Sequence, residues 1–266
     1  MVDYQQKDNY TFDDLCEIMS ILRAPGGCPW DAEQTHASIK RSLIEETYEV
    51  IEAINKNDKE LLCEELGDVL LQVVFHAQME KEQGVFDINN VCDGICKKLI
   101  ERHPHVFGTV QVDSTEQVLN NWDTIKRKSK QQKTQGEAMQ KVPLELPALM
   151  RAEKIQKKAK KAGFDWDSVD GALQKLEEET AELKKAIKEK DKENCFEELG
   201  DLLFSAVNVS RFIDCDAEQA LTSASDKFLS RFSQVEKLAQ ERGIDMKNSS
   251  LEELDRLWDE VKKGSN

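Results

Sequence analysis

Helix-breaking residues are scarce in this chain, with 5 prolines and 12 glycines among 266 residues. No apolar run approaches the roughly 20 residues that a bilayer-spanning helix needs, so no membrane partner is expected. Cationic side chains are in deficit, 37 against 52 acidic ones, which leaves a net charge of -15. Such a balance repels nucleic acid and acidic lipid surfaces, so no nucleic acid is expected as partner, and any anionic partner needs a cation to mediate the contact. The seven cysteines are odd in number and lack framework spacing, in a chain long enough to build a core without staples. The N-terminal MVDYQQKDNYTFDDL has no basic-then-apolar pattern of a signal peptide. Together these absences imply a reduced, cytoplasmic, soluble protein.

What is present is helical material: 33% of the residues are charged and 39% hydrophobic, and Glu, Lys, Leu and Ala are abundant. Apolar residues recur with helical period, as in Leu43, Ile44, Thr47, Val50, Ile51 and Ile54, and alternation of period two is missing. The fold class expected is all-α.

Self-comparison exposes a duplication. The stretch 43-LIEETYEVIEAINKND-58 aligns with 176-LEEETAELKKAIKEKD-191 at an offset of 133 (176 − 43), and the same offset carries 64-EELGD-68 onto 197-EELGD-201. Downstream, Lys98 and Arg102 match Lys227 and Arg231, and Trp122 and Lys126 match Trp258 and Lys262, each pair four residues apart. Upstream, 28-CPWD-31 resembles 164-FDWD-167. The expected organisation is an N-terminal helical domain over 1–127, a polar linker over 128–142 and a C-terminal helical domain over 143–266, each a small bundle.

The repeated segments carry acidic groups on apolar helices. Residues three apart share a helix face, so Glu46 projects with Glu49, Glu65 with Asp68, Glu179 with Glu182, and Glu198 with Asp201. Four carboxylates gathered without a cation raise one another's pKa values or splay apart. An all-oxygen set without His or Cys suits Mg²⁺, with Mn²⁺ as substitute, over zinc or iron. Gly67 and Gly200 stand in helix interiors, where glycine costs about 1 kcal/mol relative to alanine; close approach of another helix or of a ligand would explain them. Lys227 and Arg231 share a face, and Lys262 lies one turn beyond Trp258. Such cations beside an acidic metal site suit a polyphosphate, and Trp258 can stack on a nucleobase.

EExxE, ELGD, KxxxR and WxxxK in this order resemble the MazG nucleoside triphosphate pyrophosphohydrolases of the all-α NTP pyrophosphatase superfamily. The segments 26-GGCPWDAEQTH-36, 101-ERHPHVFG-108 and 143-VPLELPALMRAEKIQKKAKKAGFDW-167 extend the likeness to the two-domain form. The resemblance implies hydrolysis of NTPs and dNTPs to monophosphate and pyrophosphate, dependence on Mg²⁺ and a helical homodimer. It assigns Glu179, Glu182, Glu198 and Asp201 as metal ligands. Lys175, Glu178, Lys227, Arg231, Trp258 and Lys262 would face the nucleotide, and Glu46, Glu49, Glu65 and Asp68 form a corresponding first-domain set. By its chemistry, Glu178 or Glu197 would accept the proton of the attacking water.

The halves differ around their acids. Ser42 stands where the second half has Lys175, and Phe75 where it has Asn208 (offset 133), so a polar Asn208 is expected to face the second site. The second domain is therefore expected to carry most of the turnover. The alternative reading is a non-catalytic helical adaptor for nucleotide or protein. A di-iron bundle would need Glu-x-x-His pairs, which are missing at these positions. Cys92, Cys96, His103 and His105 lack the tight spacing of a zinc site and suit structural roles.

Overall fold

The computed structural model describes residues 4–129 and 134–264, and every regular element among them is a helix. The chain divides into two compact units, residues 1–126 and 127–266. The first contains α1 (Phe12–Arg23), α2 (Pro29–Glu33), α3 (Lys40–Lys56), α4 (Lys59–Glu82), α5 (Ile88–Arg102) and α6 (Pro104–Phe107), and most of α7 (Thr115–Ser129). The second contains α8 (Gln135–Gln140), α9 (Ala148–Lys161), α10 (Val169–Glu189), α11 (Lys192–Phe212), α12 (Ala217–Glu241) and α13 (Leu251–Gly264).

The central motif of each unit is an antiparallel helix pair, α3 with α4 and α10 with α11. Local chemistry makes both turns alike. Asn57 closes α3 in the left-handed region with φ 54°, and Asp58 then caps α4 by accepting from the Glu60 and Leu61 amides. At the repeat offset, Lys190 closes α10 with φ 58°, and Asp191 caps α11 by accepting from Glu193 and Asn194. A left-handed C-cap followed directly by an Asp N-cap reverses the chain with few unsatisfied backbone groups. Ala53 and Ala186, equivalent under the repeat, are fully buried.

α1 opens on a capping box: Thr11 Oγ1 accepts from the Asp14 amide, and Asp14 Oδ2 accepts from the Thr11 amide at 2.7 Å. It packs on α4, and Met19, Ile39, Val74, Phe75 and Met79 form the first unit's core. In the second unit α9 packs on α11, and Val235, Ala239, Leu257 and Val261 form the core between α12 and α13. Of the expected linker, residues 130–133 lie outside the described residues. Within the remainder, α8 starts at a Thr134 cap, buries Ala138 and packs on α9.

Each hairpin has more apolar surface than its own unit covers. Ile44, Ile51, Ile54, Leu66 and Leu70 stay exposed on α3 and α4, as do Phe196 (83%), Leu199, Leu203 and Phe204 on α11. A Cβ built on Gly67 or Gly200 meets nothing within 4 Å. Among the described residues, no neighbouring helix therefore explains those two glycines.

Candidate metal and nucleotide site

The α10–α11 turn sets Glu179 and Glu182 opposite Glu198 and Asp201. Carboxylate oxygens of Glu179, Glu198 and Asp201 lie within 4.8 Å of one another, and so do those of Glu178, Glu179 and Glu182. Glu179 belongs to both groups, and its side chain is only 5% exposed. Burial pushes the Glu198 carboxyl above its ordinary pKa, and the charges of Glu182, Glu179, Asp201 and Glu197 push it further.

Lys175, one turn before Glu179, reaches into this group. Its Nζ donates to Glu178 Oε1 at 2.8 Å and lies 2.5 Å from Glu179 Oε1. Those hydrogen bonds hold the ammonium well above the ordinary lysine range. A buried glutamate with crowded carboxylate neighbours already recruits a cation from its own helix, the lysine one turn before it. An all-oxygen donor set in that electrostatic state fits a hard divalent cation.

The first unit repeats the acids without the lysine. Glu46, Glu49 and Glu65 bring oxygens within 4.8 Å of one another. Burial raises the Glu46 pKa, followed by a hydrogen bond with Glu49 and the charge of Asp68. Glu65 is raised by burial and then by Glu49, Glu64 and Asp68. Ser42 stands at the Lys175 position (175 − 133). Trp122 is covered by two cations of its own unit, with the Arg102 guanidinium carbon 5.0 Å and Lys126 Nζ 4.7 Å from its centroid.

Most of the remaining sequence-selected residues are on α12 and α13. Lys227 is exposed and Arg231 half-buried on α12, and Lys262 is exposed on α13. Among the described residues, no hydrogen bond or ion pair joins these three to the carboxylates. Trp258 packs against the second unit's core, with its ring 5.2 Å from Phe228. Glu197 is exposed beside Glu198.

Asn208 does not do what the sequence comparison suggests. Its Oδ1 accepts from Arg211 Nη2 at 2.7 Å, and it lines a pocket against α9 instead of meeting the acidic group. Phe75, its counterpart, is buried in the first unit's core. Sequence reasoning also misses Gln156, Asp165 and Arg211. Arg211 Nη1 donates to Asp165 Oδ2 at 3.0 Å, and Nη2 contacts Asp165 Oδ1. For Gln156 and Asp165 the available signal is their place in 143–167, a segment singled out as a likeness without individual roles; Arg211 lies outside it. The two histidines in HPH are near neighbours, their centroids 5.6 Å apart.

Comparison with known proteins follows the same division. Residues 34–107 and 168–236 match the MazG nucleotide pyrophosphohydrolase domain. The chain is 47% identical over 253 residues to a Thermotoga maritima protein named nucleoside triphosphate pyrophosphohydrolase/pyrophosphatase MazG, covering 95% of this chain and 96% of that one. It is 44% identical over 254 residues to the Escherichia coli K12 nucleoside triphosphate pyrophosphohydrolase, covering 94% and 97%. An uncharacterized Bacillus subtilis protein, YabN, is 46% identical over 255 residues, covering 96% of this chain but 52% of its own length.

Proposed function

The chain belongs to the MazG nucleotide pyrophosphohydrolase family, and on that premise we propose that it hydrolyses NTPs and dNTPs to monophosphate and pyrophosphate with Mg²⁺. The C-terminal domain, 143–266, is the main catalytic unit, joined through 128–142 to the N-terminal domain, 1–127. The observation that carries this reading is Glu179, buried, shared by two carboxylate groups and paired with Lys175.

Glu179, Glu182, Glu198 and Asp201 would hold the cation. Mg²⁺ held there would offset negative charge on the phosphates and so favour departure of pyrophosphate. The chain supplies the rest. Glu178, exposed beside buried Glu179, or Glu197, exposed beside half-buried Glu198, accepts the proton of the attacking water. Lys175 exchanges its carboxylate partners for a phosphate oxygen when substrate and cation arrive. Lys227, Arg231 and Lys262 neutralise the polyphosphate, and Trp258 contacts the nucleotide. Glu46, Glu49, Glu65 and Asp68 form a second, weaker cation site that lacks an equivalent lysine.

The protein acts in the cytoplasm as a homodimer. The uncovered apolar surface of the α3–α4 and α10–α11 hairpins, and the open space beside Gly67 and Gly200, support a second copy packed on these faces.

Phosphorus NMR of the protein with mixed NTPs and dNTPs tests the reaction. Monophosphate and pyrophosphate should appear with Mg²⁺ or Mn²⁺ and disappear with chelator, and Glu198→Ala should abolish turnover. Diphosphate and orthophosphate as products, or full activity in Glu198→Ala, would refute it. Nucleotide binding without product would favour the adaptor reading.

A further inference from the structure

The segment between α2 and α3, residues 34–39, is fastened at three points. Arg23 of α1 holds its beginning: Nη1 donates to the Gln34 carbonyl at 3.3 Å, and Nη2 of the same guanidinium meets Glu82 of α4 at 2.9 Å. At its other end Ile39 is buried in the core with Val74 and Phe75. Between the two, His36 meets α4 through both ring nitrogens. Its Nδ1 lies 2.7 Å from His76 Nδ1, and its Nε2 lies 2.7 Å from Glu80 Oε1.

The two imidazoles form an in-line pair. Their planes are 8° from parallel and their centroids 5.0 Å apart, a separation that the Nδ1–Nδ1 contact and the two ring radii together account for. The rings therefore stand edge to edge, with both Nδ1 atoms on one line, the geometry of a straight hydrogen bond. Only one hydrogen fits between two nitrogens this close. As a carboxylate, Glu80 only accepts, so His36 carries its hydrogen on Nε2 and presents a bare Nδ1. His76 then donates from Nδ1, which leaves its own Nε2 bare. The chain from His76 through His36 to Glu80 thus has one hydrogen in each link.

Such a chain can take one more proton, on His76 Nε2. A second proton has only the occupied gap, where two N–H groups would point at each other between two positive rings. Of the charged groups on the elements packed against this end of α4, Arg23 of α1 is taken by Glu82, Arg41 of α3 by Glu45, and Asp93 of α5 by Lys97. Lys40, at the start of α3, is exposed. Burial, and then the charge of His36, keep the His76 imidazole below its ordinary pKa.

We propose that residues 34–39 form a proton-operated latch, closed on α4 near neutral pH and released when His36 and His76 are both protonated. Release leaves the Arg23 anchor in place, because a guanidinium stays charged. It frees the turn in which the Ser38 and Ile39 amides donate to the Thr35 carbonyl. That turn leads directly into α3, so the latch makes the entry to the first acid-bearing hairpin sensitive to pH. All four histidines, His36, His76, His103 and His105, lie in the first unit, so the second has no such device. The closed latch excludes one proton, so each pH unit below about 6.5 favours the open form about tenfold. Closure is complete above that value and is lost as pH falls.

Hydrogen exchange of the full-length chain, read by mass spectrometry and corrected for intrinsic rates, tests the proposal. Between about pH 7.5 and about pH 5.5, peptides containing Ser38 and Ile39 should gain about tenfold in exchange rate, while peptides from α1 and α4 should not. His36→Gln should flatten this response. If His36→Gln does not fold, His76→Gln removes the partner from α4 and should flatten it likewise. Long-range ¹H–¹⁵N spectra, in which just four histidines contribute, should show His36 protonated at Nε2 and His76 at Nδ1 near neutral pH. Exchange at 35–39 that ignores pH, acceleration spread evenly over the first unit, the same acceleration in a folded glutamine variant, or the opposite tautomers would overturn the latch.

Discussion

Replacing Arg211 by methionine should destabilise the second unit strongly. Arg211 approaches both oxygens of Asp165, and the two side chains are 5% and 15% exposed. That guanidinium holds the Asp165 carboxyl below its ordinary pKa. Removing one partner of a buried pair costs about 3–5 kcal/mol. The low end, about 3 kcal/mol, applies because Asp165 retains some solvent and Lys160 Nζ stands 3.8 Å away. For a unit of this size, each kcal/mol moves the midpoint by roughly 3 °C, so Arg211→Met should lower it by about 9 °C. Scanning calorimetry of the full-length chain measures this directly. The double variant Asp165→Asn/Arg211→Met removes both charges and should recover much of the loss. A loss below about 1 kcal/mol in the single variant, or no recovery in the double one, would refute the buried-pair reasoning. The sign with pH follows from the depressed carboxyl. This stabilisation is present above the unfolded aspartate value and is lost as pH falls through the lower folded value.

Three further outcomes follow from individual contacts. Lys175→Met should lower kcat/KM by about 10²-fold while decreasing the Mg²⁺ concentration for half-activation, because the ammonium occupies Glu178 and Glu179 in the free enzyme; a higher Mg²⁺ requirement would contradict that. His76 is held below its ordinary pKa, first by burial and then by His36, whose Nδ1 lies 2.7 Å from His76 Nδ1 and whose Nε2 meets Glu80 at 2.7 Å. Stability should therefore fall as pH drops from about 6.5 toward the folded value, and this slope should flatten in His76→Gln; identical slopes would exclude His76. Gly200→Ala should stabilise the dissociated chain by about 1 kcal/mol, since its Cβ meets open space, yet weaken dimerisation if a second copy packs there. Sedimentation across a dilution series separates the two effects, and an unchanged dimer constant would move the interface elsewhere.

Helical class and duplication are legible in the residues because both are local or self-referential. Periods near 3.6 read out helices, and the constant offset of 133 aligns 43–58 with 176–191 and the first ELGD with the second. The hairpin turns, where Asp58 and Asp191 cap α4 and α11 after a left-handed residue, emerge from the structure. Spacing of three then predicts which carboxylates share a face, and the helix pairs bring Glu179, Glu198 and Asp201 within reach. No such local rule predicts what covers a face. The apolar stripes of α3 and α4 look like core in sequence, yet much of their surface stays exposed within the chain.

By itself, the sequence determined the helical class, the tandem repeat and the acidic helix pairs, because capping and helix periodicity act over only a few residues. Tertiary structure decided where Asn208 points, which carboxylate binds Arg211, and that the second unit has a pocket while Phe75 fills core in the first. Asp165 and Arg211 are 46 residues apart, as are α9 and α11 on a similar scale. Their meeting depends on how helices pack and on which buried charges find partners. Such pairing arises only when the packed chain excludes water.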